Sequence, residues 1–214
     1  QQDNYQLHFS HQINNLFTLN VAAHMTRGKG YYEEFKKNAK FSDYGLPSLQ
    51  IQDTVITKTN LVRRKWLDNY FYGMIYSLTY ENKNIEIKTG GGINQYDGDH
   101  YGKIVKGDYI PIASENYTYY QNNGLKNNLN HWIKGTLNMS EHFIVYADMQ
   151  YRYVNYRFTG FDDFAKTANQ VAEFHFFNPK AGVTFLRNEN ESGWLSFAIG
   201  NKEPSRDDFT ESTS

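Results

Sequence analysis

The stretch YFYGMIYSLTYENKNIEIKTGGG, residues 70–92, decides the fold class because large apolar side chains recur at every second position. One side of the pattern carries Tyr70, Tyr72, Met74, Tyr76, Leu78 and Tyr80. The other side is smaller and more polar, and after residues 81–84 the alternation resumes at Ile85 and Ile87. Successive side chains of a strand point to opposite faces. The stretch therefore predicts a long β-hairpin with one apolar and one polar face.

The composition narrows the class of protein. The chain has 214 residues, a net charge of −1 and no cysteine. This length fits one all-β domain, the balanced charge provides no basic footprint for nucleic acid, and the lack of cysteine excludes disulfides and thiolate metal sites. Aromatic residues make up 17% of a chain whose mean hydropathy is only −0.73. Many aromatics in a polar chain favour a barrel that is apolar outside and polar inside.

The same alternation recurs along the chain, for example over residues 17–26, 128–137 and 143–153, and it predicts about eight strands. Several of them are long enough for a tilted transmembrane strand, which needs about 9 to 11 residues. The predicted fold is all-β, an antiparallel transmembrane β-barrel segment. A soluble β-sandwich, with a second sheet covering the aromatic face, is the alternative.

The predicted connections alternate between short and long. Short turns are predicted at residues 12–16, 81–84, 138–142 and 188–193. Long polar segments are predicted at residues 27–65, 97–124 and 159–173. Outer-membrane barrels alternate short periplasmic turns with longer extracellular loops in this way. We therefore expect the long segments to be extracellular loops, with those at 27–65 and 97–124 lining an outer vestibule.

Eight residues of the first two long segments and their borders are candidates for binding a solute. They are Tyr31, Tyr32, Arg63, Arg64, Trp66, Asp97, Asp99 and His100. The two tyrosines could stack on a substrate or only pack their loop. The run 63–66 could attract an anionic complex or anchor the chain at the membrane surface. The run 97–100 offers hard oxygen ligands and an imidazole, or it is an Asp-Gly turn that leaves a strand.

Catalytic motifs are missing from the sequence. The seven histidines are dispersed, and no pair has metal-ligand spacing on a helix. Neither a nucleophile elbow nor a phosphate-binding loop occurs. The sequence predicts a protein that is not an enzyme, with no catalytic residue, no metal site and no cofactor.

Six segments together resemble the barrel half of a TonB-dependent outer-membrane receptor of the Bacteroidetes-type branch. They are RRKWLDNYFYG (63–73), GGGINQYDGDHYG (90–102), YYQNNGLKNNLNHWIKG (119–135), DMQYRYVNYRFTGFD (148–162), FHFFNPKAGVTF (174–185) and LSFAIGNKEPSRDDF (195–209). The last resembles the family's Ser-x-Gly-Phe-Arg-x-Pro stretch. Asn201-Lys202-Glu203-Pro204 takes the place of its Phe-Arg-x-Pro part.

The resemblance implies a barrel of about 22 strands with a plug domain inside it. It also implies a periplasmic segment that contacts TonB, and uptake of a scarce solute such as an iron–siderophore complex, haem, cobalamin or a glycan. The implied location is the outer membrane of a Gram-negative bacterium. The implied partners are outer-membrane lipid, the protein's own plug, TonB and the small-molecule substrate, without nucleic acid.

The sequence contains neither a plug nor more than about eight strands. We therefore expect residues 1–214 to be part of a receptor β-barrel domain, an excised segment without its plug and barrel termini. A self-contained eight-stranded outer-membrane barrel with a structural or adhesion role is one alternative. A soluble β-sandwich or lipocalin-like binder is the other.

Overall fold

A computed structural model describes residues 1–110, 117–161 and 169–204, which form ten strands and one short 3₁₀ helix. The strands are β1 (Gln2–Gln12), β2 (Phe17–Lys40), β3 (Leu49–Ile51), β4 (Thr54–Ile56), β5 (Lys58–Glu81), β6 (Ile85–Gly107), β7 (Thr118–Asn138), β8 (Phe143–Phe161), β9 (Gln170–Asn188) and β10 (Glu191–Ala198). The 3₁₀ helix is Phe41–Tyr44. The all-β prediction is confirmed.

Eight strands form one sheet in the order β1-β2-β5-β6-β7-β8-β9-β10, and every neighbouring pair is antiparallel. Each strand thus pairs with the next one along the chain, apart from the small β3–β4 hairpin between β2 and β5. Among the described residues β1 pairs only with β2 and β10 only with β9, so the sheet is not closed. No helix in the described part of the chain is long and apolar enough to cross a membrane.

The four predicted short turns are confirmed. They connect β1 to β2, β5 to β6, β7 to β8 and β9 to β10. Asparagine side chains hold three of them. At the fourth turn the Asn188 Oδ1 accepts a hydrogen bond from the backbone N–H of Asn190 at 2.9 Å. At the second turn the Asn82 Oδ1 accepts hydrogen bonds from the backbone N–H groups of Asn84 and Ile85, both at 2.9 Å. The Asn14 Oδ1 does the same at the first turn. Such side-chain mimicry of a backbone turn is the reason that asparagine favours these positions.

The long segments predicted as loops are largely strand, and this part of the prediction is wrong. β2 continues to Lys40 and β5 begins at Lys58, while β6 runs to Gly107 and β7 begins at Thr118. Of the third segment, residues 162–168 lie outside the described residues, and β8 and β9 flank them. A strand whose two faces both meet water needs no apolar alternation, so the backbone ladder can continue after the pattern stops. The sequence pattern therefore ended before the strands did.

The sheet has an apolar face and a polar face. Directly opposite residues of paired strands lie on the same face, so the register extends each face across the sheet. One row of the apolar face consists of Leu7, Ala23, Met74, Ile93, Leu129, Tyr153 and His175. This face is uncovered: Leu7 is 73% exposed and Phe197 70%. In outer-membrane barrels lipid covers such a face.

The main buried cluster lies at the end of the sheet opposite the short turns. It consists of Tyr44, Leu61, Ile104, Tyr119 and Tyr120. The 3₁₀ helix supplies Tyr44, and Gly45 follows it with φ of 64°, a left-handed conformation that glycine adopts without strain. The 3₁₀ helix and Leu46 just after it therefore pack onto β5, β6 and β7.

Candidate functional site

The register divides the eight candidate residues between the two faces. Five lie on the side of the apolar face: Tyr31, Arg64, Trp66, Asp97 and Asp99. They are closer to the end opposite the short turns than the run of apolar residues on that face, which we call the apolar band. Three lie on the polar face: Tyr32, Arg63 and His100. Adjacent positions in a strand point to opposite sides. A ligand on one side of the sheet therefore cannot contact all eight.

Trp66 is the centre of an aromatic ladder on the apolar face. Its ring centroid is 4.5 Å from that of Tyr31 on β2 and 5.8 Å from that of Tyr101 on β6. The Arg64 guanidinium lies 4.5 Å from the centroid of Tyr31, and its Nε donates a hydrogen bond to Glu33 at 2.8 Å. These contacts join three neighbouring strands. Tyr31, Arg64 and Trp66, which the sequence suggested as ligand contacts, thus contact other residues of the sheet.

Asp97 and Asp99 lie inside β6, so the Asp-Gly turn proposed for them is wrong. Both carboxylates accept hydrogen bonds from one amide group, the Asn123 Nδ2 on β7, at 2.7 and 3.0 Å. His100 lies on the other face, where its Nε2 is 3.4 Å from the hydroxyl oxygen of Tyr96. Among the described residues no group of three or more histidine, aspartate and glutamate side chains could hold a metal ion.

Arg63 lies on the polar face and fixes the segment after β2. Its guanidinium donates to the Glu34 carboxylate at 2.8 and 3.1 Å and to the Tyr44 hydroxyl at 3.3 Å. The rings of Tyr44 and Tyr119 lie 5.9 and 5.8 Å from its central carbon. Hydrogen bonds from Lys36 and Arg63 lower the pKa of Glu34, which keeps the carboxylate charged. This arginine is a structural part of the buried cluster.

A cavity of about 600 Å³ opens beside Tyr32 and Lys65. Thr26, Leu67 and Asn69 line it from the polar face, together with the backbone of two glycines, Gly28 and Gly30. A Cβ added at Gly30 would meet no atom within 4 Å, so the missing side chain leaves open space on the wall. The volume lies in the range of small-molecule sites, about 300 to 1,000 Å³.

Sequence reasoning missed a charged cluster on the polar face. Arg152 on β8 donates a hydrogen bond from Nη2 to the Glu203 Oε1 at 2.9 Å, and its Nη1 makes an ion-pair contact with the Glu203 Oε2 at 2.8 Å. The Lys126 ammonium on β7 adds a third contact at 2.6 Å. The partners of Glu203 are 77 and 51 positions away in sequence, so no local pattern could indicate them.

Glu203 follows β10 and is charged at ordinary pH. Burial alone would raise the pKa of this carboxyl group. The hydrogen bond from Lys126 and the charges of Lys126 and Arg152 outweigh burial and hold the pKa at about 2. The low pKa thus indicates that Lys126 and Arg152 stabilise the charged form of the Glu203 carboxylate.

No protein-family model and no curated protein matches this sequence. Solved structures do match its fold. The open form of the ferric-catecholate import receptor Fiu from E. coli K12 matches 95% of this chain with a TM-score of 0.65 and 13% identity. The closed form matches 92% of this chain with a TM-score of 0.61 and 14% identity.

The chain spans only about a third of Fiu, 36% of the open form and 32% of the closed form. At this identity the likeness establishes the fold. It agrees with the independent resemblance of the six sequence segments. The chain thus has the fold of an open, eight-stranded segment of a TonB-dependent receptor barrel.

Proposed function

We propose that this chain is part of the wall of an outer-membrane receptor that takes up a scarce small solute with energy supplied through TonB. The observation that carries the proposal is the single antiparallel sheet with one uncovered apolar face, which matches about a third of an import receptor. In this proposal the polar face borders the lumen and the plug domain, and the apolar face contacts lipid. The described residues that we assign to the solute do no chemistry.

Two other functions are less well supported. A self-contained eight-stranded barrel would need β1 to pair with β10, and in the described residues these strands are the two edges of the sheet. A soluble sandwich would need a second sheet over the apolar face. The described residues offer only β3 and β4, of three residues each. A transport receptor accounts for both observations.

The charges of the polar face favour an anionic solute. Toward the end opposite the short turns, this face carries the cations Lys36, Arg63, Lys126 and Arg152. Their carboxylate partners are only Glu34 and Glu203 in the described residues, and each is bound by two cations. The excess positive charge would attract an anion. Among the solutes of the resembling family, this favours an anionic iron–siderophore complex over a neutral glycan.

We assign solute contact to the polar-face residues. Tyr32 and Lys65 line the cavity described above, and His100 lies on the same face. We place the five apolar-face candidates on the outside of the wall, above the lipid, where a solute in the lumen does not reach them. Arg63 then acts indirectly, because it holds the 3₁₀ helix against the wall through Tyr44.

Uptake of a radioactive ferric-catecholate complex by cells that produce the receptor tests the proposal. We expect uptake that stops when a protonophore removes the energy source of TonB. Tyr32→Ala should reduce uptake several-fold, whereas Tyr31→Ala, its neighbour on the other face, should leave it unchanged. Energy-independent uptake, or no uptake of any anionic iron complex, would contradict the proposal. Equal effects of the two substitutions would contradict the assignment of faces.

A further inference from the structure

We propose that Lys126 and Arg152 form an anion-binding site on the polar face, and that Glu203 is an internal occupant which an anionic group of the solute displaces. The inference rests on the proposed function, because the polar face must border the path of the solute. The ligand class is a carboxylate or another oxyanion of similar size. Its binding would release residues 199–204 from the wall.

The wall holds Arg152 in place independently of Glu203. The Arg152 Nε donates a hydrogen bond to the Asn128 Oδ1 on β7 at 3.1 Å, which fixes the plane of the guanidinium. Lys126 lies on the same strand and face as Asn128, one position along that face. A planar guanidinium that offers two parallel N–H groups fits a carboxylate in two-point fashion. The Arg152 guanidinium therefore keeps its orientation when Glu203 leaves, and Lys126 remains on the neighbouring strand of the same face.

Glu203 belongs to the segment after β10, which is not part of the sheet. Residues 199–204 follow β10, and β9 separates β10 from β8, which carries Arg152. Backbone hydrogen bonds hold the start of the segment, where the Ile199 N–H donates to the Pro179 carbonyl at 3.0 Å. The Asn201 N–H then donates to the Asn178 side chain at 2.8 Å. Side-chain contacts therefore hold the end of the segment, and an anion can compete with them.

The charge balance leaves the site able to attract a more highly charged anion than Glu203. Two cations face one carboxylate, so the occupied site retains a net positive charge. The three side chains are also partly exposed, with 34% for Lys126, 24% for Arg152 and 18% for Glu203. An attached carboxylate competes at an effective concentration of about millimolar. A solute that carries several anionic groups can contact both cations at once, and it can therefore compete with the attached carboxylate.

Calorimetric titration of the detergent-solubilised protein with citrate tests the site. We expect Glu203→Gln to bind citrate at least tenfold more tightly than the unmodified protein, because the charged competitor is removed. Glu191→Gln removes a carboxylate from the exposed pair with Arg187 and should leave the affinity unchanged. Adding Arg152→Gln to Glu203→Gln should abolish the gain. Equal affinities of the unmodified protein and Glu203→Gln, or a gain that survives Arg152→Gln, would overturn the proposal.

A second measurement uses the unmodified binding residues. The sequence contains no cysteine, so Lys202→Cys provides a single exposed thiol for an environment-sensitive dye. Citrate should change the dye signal with saturation, and a signal that citrate does not change would overturn the displacement. Neither measurement involves uptake. Citrate binding without energy-dependent uptake would therefore refute the proposed function and leave the site intact.

Discussion

Gly91 is on the apolar face of β6 and makes room for a contact between its neighbours. The Tyr76 hydroxyl on β5 crosses it to reach the His131 Nδ1 on β7, at 2.9 Å. A Cβ at Gly91 would clash with the Asn130 carbonyl oxygen and approach the Tyr76 hydroxyl to 3.2 Å. Unpartnered polar groups are costly in lipid. The glycine thus allows two polar groups of the apolar face to satisfy each other.

The first prediction concerns this glycine. We expect Gly91→Ala to lower the free energy of unfolding by about 1–3 kcal/mol, because the added methyl group overpacks the site. Gly135→Ala is the matched control on the same face, with no atom within 4 Å of the new Cβ. It should change stability by no more than about 0.5 kcal/mol. Urea unfolding in lipid vesicles measures both, and equal effects would contradict the prediction.

The neighbouring arginines Arg63 and Arg64 differ in their surroundings although their sequence context is the same. The Arg63 side chain is 14% exposed and binds both Glu34 and Tyr44, whereas Arg64 is 34% exposed and pairs with Glu33. A hydrogen-bonded charge removed from partly buried surroundings costs more than an exposed ion pair. The face on which each residue lies therefore decides its role.

The second prediction compares these two arginines. Arg63→Met should destabilise the fold of residues 41–57 by about 1–3 kcal/mol, because it leaves the Tyr44 hydroxyl and Glu34 without a buried partner. Arg64→Met should cost at most about 1 kcal/mol. Limited proteolysis at residues 45–57 measures the local opening. Similar cleavage rates for the two variants would show that Arg63 does not hold this segment.

At the scale of elements, the strands continue well beyond the apolar band that the sequence marks. On β2 the band ends near Met25, and the strand continues to Lys40. Cross-strand pairs such as Lys29–Asp68 at 2.8 Å and Arg64–Glu33 at 2.8 Å accompany this extension. Opposite charges placed directly across a ladder stabilise it. These elements therefore continue the paired sheet through residues where loops were expected.

The third prediction concerns the segment after β10 and its dependence on pH. The folded-state pKa of Glu203 is about 2, below the ordinary value of 4.5. Because the pKa is lowered on folding, the contact is fully stabilising above about pH 4.5 and is lost as the pH falls toward 2. A dye at Lys202→Cys should report release in this window. In the Glu203→Gln background the signal should not titrate there, and persistence of the transition would assign it to another group.

At the scale of the whole molecule, the apolar face is the largest unpartnered feature. Its exposed aromatic and aliphatic side chains extend from β1 to β10, as in Phe9, Tyr76 and Phe197. Monomeric soluble proteins rarely expose an apolar patch of such extent. The open sheet also leaves β1 and β10 as edges among the described residues. Under the proposed function, lipid covers the apolar face and further strands of the barrel pair with these edges.

The fourth prediction tests the orientation of the sheet in a membrane. In a background with Trp66, Trp132 and Trp194 replaced by phenylalanine, Met74→Trp should be quenched by brominated acyl chains. Ile75→Trp, the adjacent position on the polar face, should be quenched much less. Fluorescence of the protein inserted in vesicles measures both variants. Equal quenching, or stronger quenching at position 75, would contradict the outward orientation of the apolar face.

The sequence alone determined the strands of the apolar band, their two faces and the four short turns, because these depend on local alternation and on turn residues. It also indicated the family through its six segments. Only the tertiary structure decided how far the strands extend, because backbone pairing in water needs no apolar period. It alone separated Tyr31 from Tyr32 and Arg63 from Arg64. It alone brought Glu203 to Lys126 and Arg152, since contacts between distant strands leave no local signal.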